Sequence, residues 1–290
     1  MKSIAFLGGG RITAALVAGL RLAGDEREIV VYDRHPEKLQ ALRRESQVEM
    51  ARDLKSAVER AEMLIVAVRP ASVMEMLDEV AACGVAPPQL CVSLAAGIPL
   101  RNLRARMGGS KLIRSSSARA SLARPSLGRS SLARSIHWAR AMPSPVCRIG
   151  RGLTPLSFDR SVTKAERRRV RRMFEQVGPV LEIPDRQMDA ITATHSPSHG
   201  YHALATLAKA AERAGLDRAT ALTAAAHALG ESISYWRTSG ISLDDLLHEA
   251  ATPGGIAAAT MSAMDAAGYA RSVDRGIRAG IKRARSNAKL

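Results

Sequence analysis

The chain has 290 residues, 46% of them apolar and 3% aromatic, with a formal net charge of +16. Its length allows two domains, each with its own core, and no stretch approaches the roughly 20 consecutive apolar residues that a membrane-crossing helix needs, so the sequence predicts a cytoplasmic protein with no membrane partner. The basic runs carry no interleaved aromatic rings to stack on bases, and Cys83, Cys91 and Cys147 lack a CxxC pair, so neither a nucleic-acid partner nor a zinc or disulfide framework is expected.

Residues 2–7 form a short apolar run that predicts a strand, Gly8-Gly9-Gly10 predicts a tight turn, and the periodic stretch 12–22 predicts a helix that stops at Gly24. A second strand over 28–32 ends at Asp33, and a helix is expected from Pro36 to Leu42. Residues 63–68, ending at Arg69-Pro70, and residues 90–94 are continuous apolar runs of the kind that suit parallel strands covered on both faces. Strands that alternate with helices in this way predict a Rossmann-type, parallel, doubly wound α/β sheet.

Residues 110–136 hold Lys111, Arg114, Arg119, Arg124, Arg129 and Arg134 and no acid, with the arginines five residues apart. Five matches neither the helical nor the strand period, so this Ser/Arg-rich insertion is expected to be low-complexity and exposed. After it, Thr163 and Glu166 form a capping box, and Val170, Phe174 and Val177 recur at helical spacing. Beyond Pro184 the readable pattern is helical: residues 203–214, 220–238, 243–250 (with Ser242 and Asp245 at its start) and 256–267. The division expected is a dinucleotide-binding domain over 1–184 and an all-helical domain over 185–290.

Gly8-x-Gly10-x-x-Thr13 lies between the first strand and the first helix, the context in which a glycine pattern indicates a dinucleotide site. Gly8 permits the turn, and Gly10 lets the backbone approach a pyrophosphate at the helix N-terminus. Asp33, 23 residues after Gly10, would accept hydrogen bonds from an adenosine ribose and favours NAD. Arg34 and His35 could embrace a 2′-phosphate instead, so both NAD and NADP stay open.

Several blocks in order resemble the pyrroline-5-carboxylate reductase family. Ile4-Ala5-Phe6-Leu7-Gly8-Gly9-Gly10 resembles the family's first strand and turn, and Val66-Ala67-Val68-Arg69-Pro70 its AVKP segment. Ser93-Leu94-Ala95-Ala96-Gly97-Ile98 is similar to SIAAGI, Arg140-Ala141-Met142-Pro143 to RxMP, residues 188–193 to MDAVTA, and Thr252-Pro253-Gly254-Gly255 to SPGG. The resemblance implies a Rossmann domain, a helical dimerisation domain, a homodimer or higher homo-oligomer, and reduction of an imino acid's C=N bond by NADH or NADPH. It implies cofactor contacts from Gly8, Gly10, Arg11, Ile12, Asp33, Arg34, Ala67, Val68, Arg69, Pro70 and Ala95. It implies substrate contacts from Ser196, Ser198, Tyr201, Pro253, Gly254 and Gly255, with Thr252 in the catalytic set.

The departures fall in the substrate half. Where the family has SGSGPAY, this chain has His195-Ser196-Pro197-Ser198-His199-Gly200-Tyr201, and Ile256-Ala257 replaces a threonine-bearing pair. His195, His199 and His202 stand at helical spacing, but Pro197 and Gly200 interrupt them and no carboxylate accompanies them, so no metal is expected. His199 is the expected catalytic proton donor to the imine nitrogen or a carbonyl oxygen. Two alternatives accompany this reading: a reductase of another imine or carbonyl compound on the same architecture, and a catalytically silent dinucleotide-binding or nucleic-acid-associated protein.

Overall fold

The structure, a computed structural model, describes residues 3–107 and 135–289; the Ser/Arg insertion lies outside the described residues apart from Ser135 and Ile136. The strands β1 (Ser3–Leu7), β2 (Glu28–Tyr32), β3 (Glu49–Met50), β4 (Met63–Val66), β5 (Leu90–Ser93), β6 (His137–Ala141), β7 (Thr154–Phe158) and β8 (Val180–Glu182) form an eight-stranded sheet in the order β3-β2-β1-β4-β5-β6-β7-β8. Around it lie α1 (Arg11–Leu22), α2 (Pro36–Ser46), α3 (Leu54–Arg60), α4 (Val73–Ala82), α5 (Leu100–Met107) and α6 (Lys164–Glu175).

Alternation along the strands explains why helices cover both faces. Ile4 and Phe6, Ile29 and Val31, and Met63 and Ile65 join Leu16 and Leu20 of α1 in one core, while Ala5, Leu7, Val30, Leu64 and Val66 join Val58 of α3 and Leu77 of α4 in another. β1 to β6 pair in parallel, but β7 runs antiparallel to β6, which departs from the all-parallel expectation. Residues 142–153 between them carry only the 3-10 turn Pro145–Ile149 and no crossover helix, so the chain returns antiparallel.

β6 is buried along its length despite two polar residues, and each finds a distant partner. The His137 Nδ1–H donates to Glu166 Oε2 at 2.8 Å, and Arg140, 1% exposed, donates from Nη1 to Asp185 Oδ1 at 2.6 Å. Glu166 is also the third residue of the Thr163 capping box, as the sequence predicts. Burial pushes the Glu166 carboxyl up, but the Thr163 N–H, His137 and the Thr163 hydroxyl together outweigh it and hold the group below its ordinary value.

The helices that follow are α7 (Met188–Thr194), α8 (Ser198–Arg213), α9 (Arg218–Ser239), α10 (Leu243–Ala250), α11 (Ile256–Ala266) and α12 (Tyr269–Asn287). The chain forms two compact units, residues 1–193 with 281–290, and residues 194–280. This grouping differs from a cut at Pro184. Asp185 ties the chain after Pro184 to the first unit, because its Oδ2 accepts the Leu100 N–H at 3.0 Å while Oδ1 takes Arg140. The last residues return to the same unit: Asn287 donates from Nδ2 to Ala96 O, and Asn102 from Nδ2 to Ala288 O, both at 3.1 Å. The second unit is helical, with Asp217 capping α9 through the Ala219 and Thr220 N–H groups and Ser242 capping α10 through the Asp245 N–H. Among the described residues no helix is long and apolar enough to cross a membrane.

Candidate functional site

Strand order reverses between β1 and β4, since β2 and β3 lie to one side and β4 to β6 to the other. In open α/β sheets, ligands bind outside the carboxyl ends of the strands at such a point. Gly8 occupies this position with φ +113°, and a Cβ there would lie 2.8 Å from the carbonyl carbon and oxygen of Ala67, so only glycine fits. The Gly8 N–H donates to Tyr32 O at 2.7 Å and the Ala67 N–H to Leu7 O at 2.8 Å. These bonds draw the ends of β1, β2 and β4 together.

α1 begins here. Gly10 is its N-cap, no side chain caps it, and no acidic residue stands in its first turn, so the first-turn N–H groups and the positive end of the helix dipole stay available to an anion. A Cβ on Gly10 would have no atom within 4 Å, which is the open space that a pyrophosphate approaching the backbone requires. Arg11 is exposed at the helix start, and Ile12 packs against the core behind it. Thr13, at the third position of the glycine pattern where such sites usually carry a small residue, is fully buried and donates from Oγ1 to Gly8 O at 2.6 Å. It thereby fastens the helix to the turn.

Asp33 closes the other side of the turn. Its Oδ2 accepts the Gly9 N–H at 2.7 Å and its Oδ1 the His35 N–H at 2.9 Å. The sequence places Gly9 in the turn but gives it no separate role, although its position between Gly8 and Gly10 is the signal for one. Arg34 reaches α4, where Nη1 donates to Glu75 Oε2 at 3.2 Å and Nη2 pairs with Glu79. The Glu75 hydrogen bond raises the Arg34 pKa, with the Glu79 charge assisting against slight desolvation.

Ala67 and Val68 are half-buried beside Gly8, and Arg69 is the exposed N-cap of the 3-10 turn Pro70–Ser72. Ala95 follows β5 and is 2% exposed, its N–H donating to Ser93 Oγ at 3.3 Å. Ala95 therefore packs and offers almost no surface. Gly8, Gly10, Asp33, Ala67 and Val68 thus come together in one place, with Gly9 and Thr13 as the residues that brace them.

The expected substrate residues belong to the second unit and occupy two segments. At the entry to α8, Ser196 Oγ and Ser198 Oγ lie 2.8 Å apart, the His199 N–H donates to Ser196 O at 3.2 Å, and the Tyr201 N–H to Pro197 O at 3.1 Å. His199 and Tyr201 are exposed in the first turn. His195 precedes the helix, whose N-cap is Pro197, so the three histidines do not share one helical face; the proline that interrupts their spacing is what starts the helix. Ahead of α11, the Gly255 N–H donates to Thr252 O at 2.9 Å across Pro253 and Gly254, the latter at φ +74°. Proline second and a left-handed glycine third make a type II turn, and it leaves the Thr252 side chain exposed.

Comparison with known proteins covers both units. Residues 3–97 match the family model described as NADP oxidoreductase coenzyme F420-dependent, and residues 185–287 match that described as pyrroline-5-carboxylate reductase dimerisation. A pyrroline-5-carboxylate reductase of Mycobacterium leprae is 31% identical over 240 residues, covering 80% of this chain and 72% of the relative. That of Mycobacterium tuberculosis is 28% identical over 98% of this chain and 96% of the relative. Among solved structures, the 1-pyrroline-5-carboxylate reductase of Streptococcus pyogenes superposes with a TM-score of 0.82 at 22% identity, covering 98% of each chain. The pyrroline carboxylate reductase of Plasmodium falciparum, solved with NADP bound, gives 0.80 at 17% identity, covering 99% of this chain and 98% of that one. At these identities the structures speak for the fold.

Proposed function

The chain belongs to the pyrroline-5-carboxylate reductase family, and from that premise we propose that it reduces the C=N bond of pyrroline-5-carboxylate to give proline, with NADH or NADPH as reductant. The observation that carries the reading is the crevice at Gly8: a glycine that nothing else can replace, an uncapped helix N-terminus beside it, and a carboxylate at the end of β2. When bound, the dihydronicotinamide supplies the hydride that reduces the imine carbon. Gly10, Arg11 and Ile12 would hold the pyrophosphate through backbone N–H groups and the α1 dipole, while Gly8, whose own N–H is taken by Tyr32 O, makes the turn that lets it approach. Asp33 and Arg34 would face the adenosine ribose and Ala67 to Pro70 would bound the remainder of the dinucleotide, with Ala95 in the core behind Val68.

Ser196, Ser198, Tyr201 and the turn Pro253-Gly254-Gly255 orient the imino acid. Its nitrogen takes one proton as the carbon takes the hydride, and His199 or the Thr252 hydroxyl supplies that proton. The replacement of a threonine-bearing pair by Ile256-Ala257, with Ile256 88% exposed, supports a second reading, a related imine or carbonyl compound as substrate. One assay separates the two: oxidation of NADH and NADPH by the purified protein with pyrroline-5-carboxylate and with a panel of cyclic imines and keto acids. Turnover of pyrroline-5-carboxylate at the highest kcat/KM supports the first reading, and turnover of none removes both. His199→Ala is expected to lower kcat about 100-fold on the true substrate, and unchanged turnover would remove His199 from the mechanism.

The working form in this proposal is a homodimer or higher homo-oligomer formed through the second unit. Most of the large exposed hydrophobic residues lie there, Leu222, Ile233, Trp236, Leu243 and Leu247 among them. A cytoplasmic location, where the free thiols of Cys83, Cys91 and Cys147 persist, belongs to the same reading.

A further inference from the structure

Two carboxylates stand at the adenosine end of the crevice that the cofactor contacts above do not use. Glu75 and Glu79 lie one turn apart on α4, and both engage the same guanidinium. Arg34 Nη1 donates to Glu75 Oε2 at 3.2 Å, Nη2 lies 3.2 Å from Glu75 Oε1, and Nη2 also pairs with Glu79 Oε1. The guanidinium fork is therefore occupied by carboxylates. The neighbouring imidazole is similarly engaged, with His35 Nδ1 3.5 Å from Glu37 Oε1.

Selection between NADH and NADPH in a Rossmann site depends on what meets the ribose 2′ position. A carboxylate at the end of the second strand accepts a hydrogen bond from the 2′-hydroxyl, whereas a nearby arginine accommodates the 2′-phosphate. Here Asp33 stands at that strand end, already oriented by the Gly9 and His35 N–H groups, and Arg34 follows it. Asp33, Glu75 and Glu79 against Arg34 leave this corner with net negative charge. A 2′-phosphate adds roughly −1.5 to −2 more charge, and can recruit Arg34 only by displacing its carboxylate partners. A 2′-hydroxyl meets neither obstacle.

We infer that Glu75 and Glu79 clamp Arg34 on α4 and thereby make this chain an NADH-selective enzyme that rejects NADPH. This inference rests on the dinucleotide-reductase reading and specifies its cofactor. Glu75 and Glu79 are exposed side chains on α4, so they can be altered without altering Gly8, Gly10 or Asp33. Their carboxylates are exposed enough that the amides fit the same space, with side-chain exposures of 59% and 36%.

The test is a pair of dissociation constants, for NADH and for NADPH, read by dihydronicotinamide fluorescence at fixed ionic strength. It needs wild type, E75Q/E79Q, and E75Q/E79Q with R34A, alongside turnover of pyrroline-5-carboxylate. Wild type is expected to bind NADH about tenfold or more tighter than NADPH. E75Q/E79Q is expected to tighten NADPH about tenfold while NADH moves by less than about twofold, and R34A in that background to abolish the gain. Equal affinity of wild type for the two cofactors, or a double variant that shifts both alike, overturns the clamp, and continued turnover then leaves the reductase reading standing. Binding of neither cofactor by wild type overturns both.

Discussion

Apolar side chains are distributed in opposite ways in the two units. Among the described residues, Leu22, Ile149 and Leu181 are the large hydrophobics left exposed in the first unit, while thirteen are exposed in the second. The buried hydrophobic residues of the second unit are three alanines, Ala208, Ala221 and Ala225, whereas the first unit buries Trp138, Phe6, Phe174 and a long series of aliphatic side chains. A unit whose interior is alanine and whose surface carries Trp236 and Leu243 keeps its hydrophobic driving force for another surface. The cofactor half carries its core within one chain, while the helical half leaves its large apolar side chains uncovered, the surface that the proposed homo-oligomer would bury.

The sharpest way to break the first half of that comparison is at Gly8. Gly8→Val places a branched Cβ against the Ala67 carbonyl at a backbone angle that L residues avoid, and the expected cost is about 2 to 4 kcal/mol of stability. NADH affinity should fall by about 100-fold or more, because the ends of β1 and β4 must separate. Chemical denaturation with a binding titration reads both, and a variant of wild-type stability and affinity would show that the close approach is not required.

The second half is tested by Trp236→Glu. If Trp236 lies in the interface between copies, a charge there should weaken association by about 2 kcal/mol or more, roughly thirtyfold. Light scattering across a dilution series would show dissociation, and NADH affinity should stay within about twofold, since the binding residues of the first unit are untouched. An assembly that is unchanged on dilution removes Trp236 from the interface.

The same contrast separates what was legible in the sequence from what was not. β1, β2, β4 and β5 announce themselves because both of their faces are covered, which writes them as unbroken apolar runs between glycines and helices. Gly8, Gly10 and Asp33 were legible because local backbone geometry demands them. β6 was not, because His-Trp-Ala-Arg-Ala reads as polar until Glu166 and Asp185, 29 and 45 residues further on, partner its two polar side chains. β3 and β8, at two and three residues, are too short to show a period. The clamp on Arg34 was invisible for the same reason as β6: Glu75 and Glu79 lie 41 and 45 residues away, and only the fold brings them to the end of β2.

Glu166 tests how far such a long-range partner stabilises the first unit. Glu166→Gln removes a charged acceptor from His137 and from the Thr163 cap, an expected loss of about 2 kcal/mol at neutral pH. Because the folded state holds the carboxyl below its unfolded value of 4.5, its contribution is fully present above that pH and is lost as pH falls through the lower, folded value. Thermal melts from pH 7 into the acid range should therefore show wild type and Glu166→Gln converging. A constant gap between the two would place the stabilisation elsewhere.

The smallest expected effect is at Thr13, and it bears on whether the crevice is braced from inside the helix. Thr13→Val keeps the buried volume but leaves the Gly8 carbonyl without the Oγ1 donor that reaches it at 2.6 Å, for an expected loss of about 1 kcal/mol. The hydroxyl points into the protein rather than toward the open space at Gly10, so NADH affinity should weaken only about two- to fivefold, through looser positioning of the α1 N-terminus. A loss of affinity as large as that of Gly8→Val, at unchanged stability, would mean that Thr13 serves the ligand directly. Lost stability with nearly intact affinity would confirm it as the fastener between turn and helix, the role that a small third residue cannot perform.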